Sequence, residues 1–405
     1  MKRRTIRQIA RILVLSFSVP LLTGCWDRRE INDLAIVLAA GVDEGEKGEV
    51  ELTVQIYVPS GKEGTGSSGG TVDANRTKGQ TTVSTAKGRS LADAMSHTQE
   101  RLSRKLFWGH SDVFVFGRKR AQTGINDDLD FILRFGQMRE RADVYVTGGK
   151  AVDIMKILPR LERSSMEALR ELSKLEVSTE IDLKTIVQNM IENPEQTFFL
   201  PYVQAGSEIS DEHHLHKTDM SYFNGVGIFK RGVMVGHVDD DLTRGVFWLT
   251  NRIKSSVITL TPEDSEGTVS INLISTSTTF HPHIDRNGKW QLVVSIVGMA
   301  DVIENTTKLD LMKPDNIKLI NQGASDLIRD RIERALKQIQ MNMKADIFGM
   351  GESFRRHYPK HWKQAKMKWD ELFPQVDIDA NVKIRIIHMG IVSPNISTLN
   401  PGEEK

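Results

Sequence analysis

The pattern of hydrophobic and polar positions begins, after residue 33, with two apolar-rich runs separated by a polar turn. Residues 34–43 and 49–58 flank this turn, and the second run alternates apolar and polar side chains. Such alternation is typical of strands, so the pair predicts a β-hairpin. Further on, apolar residues at helical spacing from Leu91 to Leu106 predict a helix whose N-cap is Ser90.

Short apolar runs and helical patterns then follow each other to about residue 203. Strands predicted at 112–116 and 143–146 bracket a helical stretch at 127–135. This order predicts two parallel strands joined by a right-handed crossover. The next segments are predicted to be three helices and a strand, at residues 152–158, 161–172, 181–191 and 198–203.

The second half is predicted to begin with a hairpin over residues 222–238, which turns at Lys230 and Arg231, and a short helix that opens at Asp239. Long β-stretches follow and predict an antiparallel sheet. They lie at residues 255–260, 268–280 and 289–301, and a last strand at 376–389 would close the sheet.

Two amphipathic helices are predicted before the last strand. The first, up to about 34 residues long, follows Pro314 and stops at Gly349, with an apolar stripe that would lie across the sheet. The second runs from Pro359 to Phe373. The predicted fold class is therefore α+β and multi-domain, with an N-terminal mixed α/β part and a C-terminal antiparallel sheet packed by a long helix.

Breaks in the pattern divide the chain into a leader, two domains, a linker and a tail. The predicted segments are 1–24 for the leader, 25–206 for the N-terminal α/β domain, 207–221 for a polar linker, 222–395 for the C-terminal α+β domain and 396–405 for the tail. Residues 59–79 are rich in Gly, Ser and Thr, which predicts a mobile loop inside the first domain.

Charge and cysteine usage narrow the function classes. The first 24 residues hold five basic residues and no acid, so the remaining chain has 49 basic and 53 acidic residues and a formal net charge of −4. This balance argues against a strongly basic nucleic-acid binder. The single cysteine, Cys25, excludes an intrachain disulfide and a cysteine-based zinc site.

The sequence around Cys25 predicts a lipid anchor. The basic leader precedes an apolar run of eleven residues, Ile12 to Leu22, which is shorter than the roughly 20 residues of a membrane span and is typical of a secretory signal. Leu22-Thr-Gly-Cys25 resembles the lipobox of bacterial lipoproteins, in which the thiol receives a diacylglyceryl group before cleavage in front of it. We therefore expect lipidation of Cys25; the alternative is an ordinary signal peptide with a chance cysteine.

Four segments, in the same order along the chain, resemble one known family. The most specific runs from Asp346-Ile-Phe-Gly-Met-Gly-Glu-Ser-Phe-Arg-Arg-His-Tyr-Pro-Lys-His-Trp-Lys363 through Trp369-Asp-Glu-Leu-Phe-Pro374. The others are Cys25-Trp-Asp-Arg-Arg-Glu-Ile-Asn-Asp-Leu-Ala35 with Gly41-Val-Asp43, the hairpin Gly225-Val-Gly-Ile-Phe-Lys-Arg-Gly-Val-Met-Val-Gly236, and Arg244-Gly-Val-Phe-Trp248. Together they resemble the Ger(x)C proteins, the lipoprotein C subunits of nutrient germination receptors in endospore-forming bacteria. Thr23 and the long loop at 59–79 depart modestly from the family pattern.

The resemblance implies a location, partners and a class of function. It implies a lipoprotein held by diacylglyceryl-Cys25 on the outer face of the cytoplasmic membrane, which is the inner membrane of the spore. It implies membrane-embedded A and B subunits as partners in sensing small nutrients. It implies no enzymatic activity and no cofactor.

Local motifs predict no catalytic, cofactor or metal site. A Gly-x-Gly-x-x-Gly pattern starts at Gly64, but no helical pattern follows it to hold a pyrophosphate, and the Gly-x-Ser-x-Gly pattern at Gly66 lies in the same loop. A histidine cluster is the candidate for metal ligation, but histidine side chains that are close together in a polar loop seldom converge on one metal ion. Its members are His213, His214 and His216, with His281 and His283 as further candidates.

A basic segment near the C-terminus is the remaining candidate for a contact surface. Between Phe354 and Lys368 the chain has six basic residues and no acid, which favours contact with anionic lipid or an acidic partner subunit. These residues are Arg355, Arg356, Lys360, Lys363, Lys366 and Lys368. The alternative is an ordinary solvated helix face, with Trp362 and Trp369 as core packing on the other side.

Two other function classes compete with a receptor subunit. An extracytoplasmic solute-binding lipoprotein would share the tether but needs two doubly wound lobes around a cleft. The long antiparallel ribbons predicted here do not match that architecture. A tethered hydrolase would need a nucleophile, a base or a metal set, which the sequence does not offer.

Overall fold

The computed structural model describes residues 30–58, 81–159, 161–175, 178–193, 195–209, 217–253, 256–263 and 265–389. Within these residues the strands form a nine-stranded sheet and a four-stranded sheet. Cys25, the loop at 59–79 and the histidines at 213, 214 and 216 lie outside the described residues, so their predictions stay predictions. The α+β class, with mixed α/β structure first and a helix-packed sheet second, is confirmed.

The first sheet has antiparallel strands at both ends and parallel strands in its centre. In sheet order it runs β3-β2-β1-β5-β6-β7-β8-β9, with β4 paired to β1. The strands are β1 (Leu34–Glu44), β2 (Val50–Tyr57), β3 (Thr81–Gly88), β4 (Lys105–Phe107), β5 (Val113–Phe116), β6 (Asp143–Thr147), β7 (Thr197–Ile209), β8 (Lys217–Lys230) and β9 (Val233–Val238). The predicted β1–β2 hairpin and the predicted parallel β5–β6 pair are both confirmed.

Six helices of the described residues connect or cover these strands. They are α1 (Leu91–Glu100), α2 (Arg118–Thr123), α3 (Asn126–Arg134), α4 (Ala151–Met155), α5 (Ser165–Lys174) and α6 (Leu183–Glu192). Three of them, α1, α5 and α6, start at a side-chain N-cap. Ser90 caps α1 as predicted, because its side chain accepts a hydrogen bond from Asp93 N. The helix stops at Glu100 instead of reaching Leu106, which lies in β4 beside β1.

The predicted hairpin at 222–238 is confirmed, but its place in the fold is decided by tertiary pairing. β8 pairs antiparallel with β7, and β9 pairs antiparallel with β8. Both described ends of the predicted polar linker therefore belong to the first sheet, because Ser207–Ile209 of β7 pairs with Lys217–Asp219 of β8. The division into domains at that stretch stays a prediction.

The second sheet is built around one long antiparallel pair. Its order is β10-β11-β12-β13, with β10 (Val257–Leu260), β11 (Val269–Ile284), β12 (Trp290–Asn305) and β13 (Asp377–His388). The prediction of an antiparallel sheet is wrong for the last strand, because β13 pairs parallel to β12. The helices between β12 and β13 form a crossover, which returns the chain in the same direction.

Two helices pack against each other beside the second sheet: α7 (Asp240–Leu249), which also contacts β8 of the first sheet, and α8 (Pro314–Lys337), which contacts β13 and β10. Asp239 caps α7 through Leu242 N at 3.0 Å, and Pro314 opens α8. A Cβ at Gly245 would lie 2.8 Å from Ala335 Cβ, so the two helices approach closely there. The buried stripe of α8 confirms its predicted apolar face, which includes Ile320, Ala324, Ile328, Ile332 and Ala335.

The last helices are shorter than predicted. α8 continues as a π-helical turn at Gln338–Met343 and ends at Lys344, which is left-handed, before Gly349 is reached. Helices α9 (Met350–His357), α10 (Pro359–Ala365) and α11 (Trp369–Leu372) follow. The helix predicted from Pro359 to Phe373 is interrupted by a 3₁₀ turn at Lys366–Lys368.

Candidate functional site

One buried carboxylate organises the C-terminal motif. Asp346 is 1% exposed and accepts hydrogen bonds from the backbone N–H groups of Phe348 (3.2 Å), Met350 (3.1 Å) and Gly351 (2.7 Å). It also accepts one from the indole Nε1 of Trp369 at 3.0 Å. These donors include the free N–H groups at the start of α9, where a negative charge is favoured. Burial raises the pKa of the Asp346 carboxyl, while the hydrogen bonds oppose that rise.

An aromatic cluster packs against this carboxylate. Its members are Trp290, Phe354, Trp362, Trp369 and Phe373. Trp362 and Trp369 are buried with ring centroids 5.1 Å apart, which confirms that these tryptophans are core packing. A Cβ at Gly351 would lie 2.7 Å from the Trp362 ring and 2.9 Å from Nε1 of Trp369, so only glycine fits.

The same motif joins the second sheet to the first. The carbonyl oxygen of Asp346 accepts hydrogen bonds from Asn193 Nδ2 (3.2 Å) and Thr197 Oγ1 (2.5 Å), where α6 ends and β7 begins. Lys230, at the end of β8, donates to the carbonyl oxygen of Lys344 at 2.7 Å. The Asp346 motif is thus a structural junction between the two sheets.

A charged group beside this junction was not predicted from the sequence. The carboxyl of Glu195 is buried, and within the described residues no N–H or hydroxyl group of another residue donates a hydrogen bond to either of its oxygens. Lys230 Nζ lies 3.8 Å from Glu195 Oε1 and 3.1 Å from Asp370 Oδ2, and Arg231 also pairs with Asp370 at 3.0 Å. Burial, helped by the neighbouring Asp370, raises the pKa of Glu195 to about 9, so it is neutral at pH 7.

The family resemblance is the one sequence signal that points to members of this charged group. Lys230, Arg231 and Asp370 all fall in segments that carry the family resemblance. Glu195 lies outside those segments, and 35 residues separate it from Lys230. Their proximity follows from the pairing of β7 with β8, which the sequence pattern did not indicate.

The six predicted basic residues are all exposed, but they are not equivalent. Arg355 and Arg356 both pair with Glu352, whose pKa they lower through hydrogen bonds. The four lysines have no ion pair within the described part of the chain, and we call them the lysine face: Lys360, Lys363, Lys366 and Lys368. Met367, in the 3₁₀ turn between two of these lysines, is 83% exposed.

The N-terminal family segment is also used structurally. Asp43, which ends the Gly41-Val42-Asp43 motif, is 1% exposed and accepts hydrogen bonds from Ala151 N (2.8 Å) and Val152 N (3.2 Å), at the start of α4. A Cβ at Gly41 would lie 2.6 Å from Met155 Sδ in the same helix. The motif therefore holds α4 against β1.

The described residues contain no group of three or more His, Cys, Asp and Glu side chains arranged to hold a metal ion. His281 and His283 are exposed on β11. Nor, among these residues, is any helix long and apolar enough to cross a membrane.

The fold matches a protein of known structure. The crystal structure of the GerBC protein superposes with a TM-score of 0.56 at 18% identity, over 86% of this chain and 97% of that chain. The chain therefore has the multi-domain α+β fold of the GerBC protein.

Family models assign both halves of the chain. The model described as spore germination protein N-terminal domain matches residues 27–205, and the model described as spore germination B3/GerAC like, C-terminal, matches residues 224–390. The chain belongs to this family of spore germination proteins, as the resemblance of its sequence segments predicted.

Relatives of matching length support the same assignment. Spore germination protein KC of Bacillus subtilis (strain 168) is 26% identical over 402 residues, which cover 95% of this chain and 97% of that protein. Spore germination protein B3 of the same organism is 22% identical over 96% of this chain and 100% of its own length. Spore germination protein GerQC of Bacillus cereus is 21% identical over 94% of this chain and 98% of its own length.

Proposed function

We propose that this chain is the non-enzymatic, lipid-anchored C subunit of a membrane germinant receptor that acts in nutrient-triggered germination. One observation supports the proposal: the family segments extend over nearly the whole chain, and their two buried carboxylates, Asp43 and Asp346, are engaged in packing. Asp43 seats α4, and Asp346 joins α9 to Trp369. Residues used in this way build a scaffold for binding partners instead of a catalytic set.

The anchor we propose is a diacylglyceryl group on Cys25, which would hold the protein on the outer face of the spore's inner membrane. The basic leader, the short apolar run and the lipobox-like Leu22-Thr-Gly-Cys25 support it. Cys25→Ala should remove palmitate labelling and release the chain from membranes, whereas Thr23→Ala should leave both unchanged. A Cys25→Ala protein that stays in the membrane fraction would contradict the anchor.

The partners we propose are the integral A and B subunits of the receptor. The test is affinity purification of the tagged chain from detergent-solubilised spore inner membranes. Co-purification of two integral subunits supports the receptor. Co-purification of an ATP-driven permease would instead support a solute-binding lipoprotein. The fold favours the receptor, because the second sheet contains a long antiparallel pair instead of a doubly wound lobe.

We also propose that the lysine face, assisted by Arg355 and Arg356, rests on the anionic membrane surface. A tether at Cys25 would keep the chain near lipid headgroups, where each lysine contributes about 1 kcal/mol of binding. The two arginines contribute less, because Glu352 already neutralises part of their charge.

Sedimentation with phosphatidylglycerol vesicles tests this contact. Replacing Lys360, Lys363, Lys366 and Lys368 by Gln in the Cys25→Ala chain should abolish most of the salt-sensitive binding. The matched control replaces four other exposed lysines, Lys308, Lys313, Lys318 and Lys337, and changes the net charge equally. Equal losses in both variants would contradict a specific lysine face. Binding to a purified receptor subunit but not to vesicles would instead identify an acidic protein partner.

A further inference from the structure

A cavity of about 580 Å³ lies at the junction between the two sheets. It is bordered by the end of α6, the start of β7, the middle of β11 and the chain from Asp346 to His357. Its volume falls in the range of about 300–1,000 Å³ that is usual for small-molecule sites. Much of its wall is aromatic, including Phe198, Phe199, Phe280, Phe348 and Trp362.

Arg252 lines this cavity, and within the described part of the chain no acidic side chain forms an ion pair with it. It follows α7 directly, after Asn251 turns the chain with a φ of 54°. Its Nη1 donates to Thr179 Oγ1 at 3.0 Å, and its guanidinium carbon lies 5.6 Å from the centroid of the Phe199 ring. Among the described residues, no carboxylate oxygen lies within 4.0 Å of this guanidinium. Burial lowers the pKa of Arg252, and the negative charge of Asp182 opposes this shift only in part.

Three other charged residues on the cavity wall already have charged or hydrogen-bonding partners. Arg355 and Arg356 share Glu352, and the carboxylate of Asp346 has four donors. A partly buried guanidinium without a counter-ion is costly to leave unpaired, and one that faces a cavity can gain its partner from a ligand. Within the described part of the chain, the Nε and Nη2 atoms of Arg252 make no hydrogen bond.

The geometry points to a small carboxylate-bearing molecule as the ligand of this cavity, with its carboxylate on Arg252 and its apolar body against the aromatic wall. A guanidinium edge with two free donors matches the two oxygens of a carboxylate. The Phe199 ring holds the guanidinium in place by a cation–π contact. Glu192, which also lines the cavity, disfavours a ligand with several negative charges.

The experiment measures binding of 3-phenylpropionate to the full mature chain in detergent by ligand-observed NMR titration. The neutral amide of the same compound, 3-phenylpropionamide, is the ligand control. The carboxylate should bind saturably, with a Kd of about 1 mM, as befits a ligand of that size, and at least about tenfold more tightly than the amide. Inorganic phosphate should not displace it.

Variants then assign the binding to Arg252. Arg252→Gln should lower the affinity for the carboxylate by about tenfold or more and leave the weak affinity for the amide unchanged. Arg355→Gln is the matched control, because Arg355 lines the same cavity but is paired with Glu352. The affinity of this variant for the carboxylate should change less than about twofold. Equal losses in the two variants would mean that only diffuse charge attracts the ligand, which overturns the proposal.

Two further variants cover the case in which Arg252→Gln does not fold. Arg252→Lys keeps the charge but lacks the two-donor edge, so it should weaken binding without unfolding the chain. Asn189→Trp narrows the cavity from α6 without altering Arg252, and it should also weaken binding. Absence of saturable binding in the wild-type chain, equal affinity for the amide, or unchanged affinity in Arg252→Lys and Asn189→Trp would each overturn the proposal. Binding is measured on the isolated chain and does not depend on receptor partners.

Discussion

At the scale of single residues, several positions in the family segments are explained by the space available for a side chain and by hydrogen-bond geometry. Gly351 leaves room for the rings of Trp362 and Trp369, and Asp346 gathers the N–H groups of α9 with the Trp369 indole. Gly225, with a φ of 96°, lies where a Cβ would meet the carbonyl oxygen of Val238 at 1.9 Å. The choice of residue at these positions is restricted, because a larger or differently shaped side chain would collide with its neighbours.

We expect Gly351→Ala to destabilise the protein by about 1–3 kcal/mol, because the added methyl group must displace two buried indole rings. Gly149→Ala is the control, since a Cβ there has no heavy atom within 4 Å, and it should be neutral or slightly stabilising. Urea denaturation with Trp fluorescence measures both. Equal midpoints for the two variants would show that the aromatic cluster relaxes around the methyl group.

At the scale of elements, two backbone N–H groups on the free edge of β13 are satisfied by side chains of α8. The backbone N–H of Ile384 donates to Ser325 Oγ at 3.0 Å, and that of Ile386 donates to Asn321 Oδ1 at 2.9 Å. A parallel edge strand with unpaired donors would otherwise be a template for pairing with another chain. The long helix therefore both packs against the sheet and occupies part of its edge.

Ser325→Ala should lower the free energy of unfolding by about 1–2 kcal/mol, because it leaves the buried N–H of Ile384 without an acceptor. Gln322→Ala, one turn away, removes only an exposed contact with Asp326 and should cost a few tenths of a kcal/mol, about the value of such a pair. Hydrogen exchange at Ile384 gives a direct readout: protection should fall in Ser325→Ala alone. Unchanged exchange would mean that another acceptor replaces the hydroxyl.

At the scale of the whole molecule, the two sheets are held together at the Asp346 junction and by the group around Glu195. Glu195 precedes β7, Lys230 and Arg231 lie at the β8–β9 turn, and Asp370 belongs to α11. A neutral Glu195 lets Lys230 pair with Asp370 without a second buried negative charge. Ionisation of Glu195 would place that charge beside Asp370 and Asp346.

Because of Glu195, the free energy of unfolding of the whole molecule should therefore fall as the pH rises. Burial raises the pKa of Glu195 from 4.5 to about 9, so its stabilising contribution is complete below pH 4.5 and is lost as the pH rises towards 9. Between those values the slope is at most about 1.4 kcal/mol per pH unit. Glu195→Gln should remove this slope and be at least as stable as the wild type at pH 8.

Urea denaturation at several pH values between 5 and 9 measures the effect. Glu371→Gln is the control, because Glu371 is exposed in the same helix as Asp370 and its replacement should leave the slope unchanged. Identical slopes in the wild type and Glu195→Gln would show that Glu195 stays ionised in the folded protein.

Local periodicity was sufficient for most elements but not for their partners. The hairpins, the β5–β6 crossover and the buried stripe of α8 follow from spacing within single segments, because burial of one face imposes that spacing. The break at Lys366–Lys368 was missed, since the apolar positions on both sides keep helical spacing across it. The basic residues were located correctly as exposed, but the pairing of two of them with Glu352 needed the folded geometry.

The sequence by itself determined the family, most of the strands and helices in their order and the exposed lysines, and it predicted the leader and the anchoring cysteine, because each depends on neighbouring residues. It did not indicate β3, α2 or β4. Only the tertiary structure decided that β13 runs parallel to β12, that β8 and β9 extend the first sheet, and that Glu195 meets Lys230 and Asp370. It alone showed Arg252 at a cavity, with no ion pair to another described residue. The reason is physical: a periodic pattern records which face of a segment is buried, but not which distant segment buries it.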